Sequence, residues 1–359
     1  MPGLADTGLQ DLLDEGARRR SAGDLEGALA AFRRAVDLAP QRPEPHHHLA
    51  GALAALDRLA EAEAEYRATL ALAPKAGATE RALAVLLLSQ GRYAEGFAFF
   101  EARHELPEIA KPPLPFPEWR GEPVDGRRLL IWPEQGFGDQ IQFARFAPVL
   151  RAMGAEVTLV CWPPLARLFE HALGVTVIPA AGSIDFPDPD YWVMAMSLAA
   201  WLWLTPDTVP NAPYLLAPPG GPAPPAGARI GLFLRGNPDN VNDKARSLGA
   251  DQAARLAALP AAISLDPVDT GARDFADTAS LIAGLELVIT VDTAVAHLAG
   301  AMGKPCWTLI PKANTDWRWL RDRTDSPWYP SMRLFRQRTA GQWSPVIDEL
   351  LGALKEPAP

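Results

Sequence analysis

Cysteine is scarce in this sequence, with two residues in 359. Cys161 and Cys306 each sit in an apolar, strand-like run, so neither a secreted disulfide framework nor a zinc site is expected. Long apolar runs are also missing. The longest, residues 193–204, is interrupted by Ser197 and closed by Pro206, and falls short of the ~20 residues that a membrane-spanning helix needs. The amino-terminal residues show no basic stretch followed by an apolar one, so no secretory signal is expected. Nor is there an excess of basic charge. Lys and Arg total 34 against 43 Asp and Glu, a net charge of −9 with a pI near 5.3, spread along the whole chain. That balance argues against a nucleic-acid partner, which would want a basic face. A cytoplasmic, soluble protein is the expectation, long enough at 48% hydrophobic content for two or three domains.

What the chain does have is an internal period of 34 residues. Gly23, Asp57 and Gly91 align, as do Leu25, Leu59 and Tyr93, and then Ala28, Ala62 and Gly96. Phe32, Tyr66 and Phe100 form a further column, and Gly16, Ala50 and Ala84 supply a small residue earlier in each unit. Small residues at two fixed positions let the helices of a hairpin approach closely, and the aromatic fills the gap to the next hairpin. This is the tetratricopeptide (TPR) pattern in three copies over residues 1–110, an architecture suited to holding a partner protein. His46, His47 and His48 open the second unit. Consecutive helical residues point about 100° apart, so the three cannot share one metal as an i, i+4 pair can.

A proline-rich stretch, KPPLPFPEWRGEP at 111–123, marks the first junction, with Trp119 as its anchor. Beyond it, strands alternate with helices, which argues for parallel sheets wound by crossovers. A second Pro/Gly/Ala stretch at 217–227 divides that region into two α/β halves, 111–217 and 228–359, and reads as an exposed connector. In the first half, LLIWPEQGFGDQIQFARFAPVL (129–150) reads as a strand, a glycine turn and one helix through residue 150. The turn presents Gly136, Gly138, Asp139 and Gln140 at a strand's carboxyl end, where ligands bind in open α/β sheets. The spacing of its glycines is not that of the dinucleotide fingerprint.

The second half repeats the device. LVITVDTAVAHLAGAMGKP (287–305) reads as a strand ending at Asp292 and Thr293, then a small-residue helix whose first turn is a ready anion site. His297 lies on the same helix face as Thr293; the alternative for it is a buried, hydrogen-bonded core residue. The polar loop RGNPDNVNDKARSL (235–248) adds Arg235, Lys244 and Arg246, groups suited to phosphate. Asp316, Trp317 and Arg318 lie in an aromatic-rich segment that lines an acceptor or sugar pocket or packs the domain. Only about two crossover units fit between residues 234 and 287, which is short for a full nucleotide-binding half.

Four motifs carry a family resemblance: EQGFGDQIQFARF (134–146), NDKARSL (242–248), VDTAVAHLAGAMGKP (291–305) and DWRWLRDRTDSPWYPSMRLFRQ (316–337). With the repeats, they resemble bacterial proteins that fuse TPR repeats to a glycosyltransferase family 9 domain, the ADP-heptose:lipopolysaccharide heptosyltransferase type. The resemblance implies a GT-B fold of two Rossmann-like halves, an inverting and metal-independent transferase with no cofactor, and a nucleotide-sugar donor on the carboxyl-terminal half. Asp139 then matches the general base, Lys244 and Arg246 the cations facing donor phosphate, and Asp292, Thr293 and His297 the diphosphate cradle. Gly136, Gly138, Gln140, Asp316 and Trp317 fall to the acceptor or sugar pocket. The acceptor implied is a protein recruited by the repeats, flagellin in some such enzymes. The rival readings are transfer to lipopolysaccharide or another glycan, and a non-catalytic TPR adaptor on a degenerate scaffold.

Overall fold

The structure, a computed structural model, describes residues 4–239 and 242–355. The chain divides into two compact units, Met1–Lys111 and Pro112–Pro359. The first consists of helical hairpins: α1 (Leu4–Ser21) with α2 (Leu25–Leu38), α3 (Pro43–Ala55) with α4 (Leu59–Leu72), and α5 (Gly77–Ser89) with α6 (Tyr93–Phe100). The repeat columns have plain physical causes. Gly23, Asp57 and Gly91, one in each hairpin turn, have φ of +82°, +58° and +78°. That left-handed conformation is open to glycine and tolerated by Asp, which accounts for the column. A Cβ on Gly16 would collide with the Phe32 ring, and Ala28, Ala50, Ala62 and Ala84 are wholly buried. The three consecutive histidines meet three different partners. His46 bonds Glu65 (2.6 Å), His47 bonds the Thr79 hydroxyl (2.9 Å), and His48 stacks on Phe32 at 5.4 Å.

The second unit holds two parallel sheets. The first is built from β1 (Arg128–Trp132), α7 (Phe137–Phe143), α8 (Phe146–Ala152), β2 (Glu156–Cys161), α9 (Pro163–Ala172), β3 (Thr176–Pro179), β4 (Tyr191–Met194) and α10 (Leu198–Trp201), in strand order β3-β2-β1-β4. The second begins with β5 (Ile230–Phe233), α11 (Asp243–Arg246), α12 (Ala250–Ala257), β6 (Ala262–Ser264), α13 (Pro267–Thr270) and α14 (Phe275–Ala283). It continues through β7 (Leu287–Val291), α15 (Ala294–Ala301), β8 (Cys306–Ile310), β9 (Met332–Arg336) and α16 (Ser344–Ala353), in order β6-β5-β7-β8-β9. β1 and β7 are interior strands, and their apolar runs are buried on both faces, Leu129, Leu130 and Ile131 in one and Val288 and Ile289 in the other. Each buried aliphatic side chain contributes ~1.5–3 kcal/mol, which anchors both strands in the core. The fold is therefore TPR repeats followed by two Rossmann-like parallel-sheet halves.

One expectation changes and another gains detail. The single helix read through residue 150 is two, because Pro148 has no N–H to offer the Ala144 carbonyl. Upstream, the Ile141 carbonyl accepts instead from the Tyr214 hydroxyl (2.7 Å) and that of Gln142 from Arg145 Nε (2.8 Å). The stretch 217–227, read as an exposed connector, has no buried residue but does touch the second half. A Cβ on Gly284 would come within 2.7 Å of the Pro224 ring, and the preceding Tyr214 and Leu215 N–H groups donate to the Ala301 carbonyl (2.9 and 3.1 Å). Proline and glycine ruled out regular structure there, not packing. Trp119 anchors its segment as expected: it is buried, and its backbone N–H donates to the Trp192 carbonyl (2.8 Å).

Candidate active site

Each sheet delivers a helix from its interior strand. After β1, Gln135 takes φ +57° and the chain turns through Gly136 into α7. Asp139, in the first turn of α7, accepts the Gly136 N–H on Oδ2 (2.8 Å). The α7 N-terminus thus carries its own carboxylate, which its positive dipole end favours. After β7, Thr293 serves as the N-cap of α15 in extended conformation (φ −147°, ψ 174°) but gives no side-chain hydrogen bond to the first turn. Its hydroxyl instead lies 3.2 Å from that of Thr290.

The two turns meet. A Cβ on Gly138 would stand 2.8 Å from His297 Cδ2 and 3.6 Å from the Cα of Ala294, the first residue of α15. Only a glycine allows that approach. Asp139 and the α15 N-terminus therefore face one site from opposite halves.

Arg318 ties the site together. It lies in a single 3-10 turn, Trp317–Trp319, that ends at Leu320 with φ +53°. Its side chain is 6% exposed; Nη2 donates to Asp139 Oδ1, Nη1 to Asp316 Oδ2 (2.8 Å) and Nε to Gln142 Oε1. Burial raises the Asp139 carboxyl above its ordinary range, with Asp316 and Glu134 adding to the rise, while Arg318 and the Gly136 N–H oppose it. Asp292 is raised too, first by burial and then by Asp316. Its carbonyl accepts from Arg246 Nη1 (3.0 Å), which brings a cation to the β7 end. Lys244 is exposed on α11.

Several residues assigned to substrate on sequence grounds are occupied otherwise. His297 is 5% exposed, its Nδ1 bonded to the Tyr329 hydroxyl (2.9 Å) and its ring stacked on Trp319 at 5.3 Å. Burial, then Arg318 and Arg145, hold its pKa well below the usual value, so the ring is neutral at pH 7. A neutral, enclosed imidazole does not neutralise phosphate; here it joins the halves, the alternative its position on the helix left open. Trp317 is buried edge-on to Trp328 at 6.0 Å and covered by Arg318 at 4.6 Å. Gln140 is buried, its Oε1 accepting the Trp162 N–H (2.9 Å). Asp316 caps the turn that carries Arg318, accepting its N–H at 3.0 Å.

Sequence reasoning passed over Arg145. It is buried among Tyr214, Trp328 and Tyr329, whose rings lie 4.9, 5.1 and 4.7 Å from its guanidinium carbon, and donates to the Pro210 and Trp328 carbonyls (both 2.9 Å). A lone cation between aromatics, as in FARF (143–146), is the signal that would have found it. Beside the site, a cavity of about 330 Å³ opens at the carboxyl ends of β5 and β6, with Arg235, Ser264, Asp266 and Asp269 among its lining. β5 pairs with both β6 and β7, so the cavity mouth and the α15 N-terminus are about two strand spacings apart, on the order of 10 Å.

Residues 250–332 match the family described as glycosyltransferase family 9 (heptosyltransferase). The match takes in Asp292, Thr293, Asp316 and Arg318. Over almost the whole chain, 93% of it, the sequence is 27% identical to Protein FlbA of Caulobacter vibrioides; the alignment spans 65% of that protein. Among solved structures, the TPR domain of P58(IPK) is similar at 26% identity over 26% of this chain and 26% of that one, with a TM-score of 0.25. MamA is similar at 19% identity over 28% of this chain and 58% of that one, with a TM-score of 0.26. The family match is confined to residues 250–332, within the second α/β half.

Proposed function

We propose that the α/β unit is a glycosyltransferase that moves a sugar from a nucleotide-sugar to an acceptor hydroxyl. The observation that carries this reading is the meeting of two unlike helix N-termini, one bearing the Asp139 carboxylate and the other, at Thr293, without a side-chain cap. In the reaction, the acceptor oxygen attacks the anomeric carbon as Asp139 takes its proton. The bond from that carbon to the phosphate oxygen breaks, and its electron pair stays with the nucleotide. A single displacement of this kind inverts the anomeric centre.

Charge developing on the leaving phosphate falls at the first turn of α15, with Arg246 and Lys244 as cations. Fixed donors of this sort stabilise a transition state without reorganising, which supports a metal-independent reaction. The nucleoside fits the cavity beyond β5 and β6, where the carboxylates of Asp266 and Asp269 accept hydrogen bonds from ribose hydroxyls or a base amine. Because Gly138 and Ala294 nearly touch, donor entry parts the two turns. The acceptor is a protein hydroxyl brought by the TPR repeats, with flagellin as the candidate that the resemblance implies.

A thermal-shift panel of ADP, UDP, GDP, CMP and CDP tests the donor half of this reading. All 11 tryptophans lie between residues 119 and 343, so their fluorescence follows the α/β unit alone. A ligand at ~100 times its Kd adds about 2.7 kcal/mol to the native state. One nucleotide should raise the wild-type transition and not that of Arg246→Ala. No response to any of them would favour the adaptor reading.

A further inference from the structure

The guanidinium of Arg318 is buried against carboxylates from both halves, Asp139 of α7 and Asp316 of its own turn, with Gln142 Oε1 on its third side. Asp292 adds to the field that holds it charged. Surface charge pairs are exchangeable; a cation 5% exposed with each of its nitrogens engaged is not. Its position is over-determined by the Asp316 cap, by stacking on Trp317 and by the left-handed Leu320 that follows. A general base must be ionised before it can take a proton, and burial works against that for Asp139.

We propose that Arg318 is the positioning residue of this site, fixing the Asp139 carboxylate in its charged form and in the orientation set by the Gly136 N–H. The inference rests on the glycosyltransferase reading for its catalytic meaning but not for its physical test. The groups facing Asp139 are Arg318 and Asp316 from the 3-10 turn and Glu134 from its own loop; Arg318 is faced in turn by Asp292. Burial already raises the native Asp139 carboxyl with the guanidinium in place, and without it the carboxyl binds its proton more tightly still. Stability is then present below the ordinary carboxylate range and lost as pH rises through the raised native value.

The experiment is a set of tryptophan-fluorescence melts from pH 4.5 to 8 for wild type, R318Q, D139N and R318Q/D139N. R318Q should lose melting temperature relative to wild type as pH rises, by about 3–5 °C for each pKa unit that Asp139 moves. Adding D139N should remove that pH-dependent loss. If R318Q does not fold, R318K, which keeps the charge but not the fork, should show the same trend at smaller amplitude, again removed by D139N. Persistence of the loss in the double variant would overturn the proposal, because Arg318 would then serve Asp316 or Asp292. With a donor in hand, the acid limb of kcat should move to higher pH in R318K while the wild-type limb stays put; a fall in kcat with no shift of the limb would mark a merely structural arginine. If no nucleotide stabilises wild type, the transferase reading fails alone and the melts still decide the pairing.

Discussion

The β1–α7 and β7–α15 turns share one architecture and use it in opposite senses. Both leave an interior parallel strand, and both start a short helix within a few residues. In the first, the helix's own third residue, Asp139, returns to the Gly136 N–H and supplies the negative charge that a helix N-terminus favours. In the second, Thr293 directs its hydroxyl toward Thr290 and leaves the first turn of α15 uncapped by a side chain. One turn is therefore self-satisfied and presents a carboxylate; the other leaves its first N–H groups without a side-chain cap. In the proposed reaction the two turns, facing each other across the Gly138–Ala294 approach, divide the work, with proton removal on one side and charge acceptance on the other.

The contrast is open to direct attack. The largest expected effect is that of Asp139→Asn, which should slow transfer by ~10²–10⁴-fold. Single-turnover measurement with the identified donor checks it, and a normal rate would remove Asp139 from the base role. Next comes the contact that holds the turns together. Gly138→Ala puts a Cβ 2.8 Å from the His297 ring at a backbone conformation that is not itself strained, so its cost is steric, about 1–3 kcal/mol. Tryptophan-monitored urea melts should show that loss reduced when His297→Ala is combined with it, since the two sites share one contact.

Converting the second turn into a copy of the first is subtler. Thr293→Asp supplies a carboxylate cap, which should leave the melting temperature level or raise stability by ~0.5–1 kcal/mol. Nucleotide affinity, read by calorimetry, should meanwhile fall ~10-fold or more through like-charge repulsion, a cost of about 1.4 kcal/mol. The smallest effect is on pH. His297 has a depressed native pKa, so its contribution to stability is present above the unfolded value near 6.5 and is lost as pH falls below it. The α/β transition should drop between pH 7.5 and 5.5, less steeply in His297→Gln.

How much of this was legible beforehand follows from the kind of interaction involved. The helical repeats were readable because each column answers a local demand, such as the left-handed turn at Gly23, Asp57 and Gly91. The strand–turn–helix units were readable for the same reason, since burial on both faces of β1 and β7 demands continuous apolar runs. β9 was not read as a strand: the Arg333 in its midst breaks the apolar run, and the structure resolves this by laying that side chain over Trp307 and Phe335. The site was half legible. Asp139 and Thr293 announce themselves by position, but Arg318 reaches Asp139 across 179 residues and Arg145 reaches the Trp328 carbonyl across 183. No spacing rule covers such pairs. For His297, helical periodicity gives its face and not its enclosure by Tyr329 and Trp319.

The measurement that bears most directly on the account is calorimetric titration of the stabilising nucleotide into wild type, D139N and T293D. The division of labour between the two turns predicts that D139N binds within a few-fold of wild type while T293D loses at least tenfold. Wild-type affinity in T293D, or a loss in D139N as large as that in T293D, would contradict it.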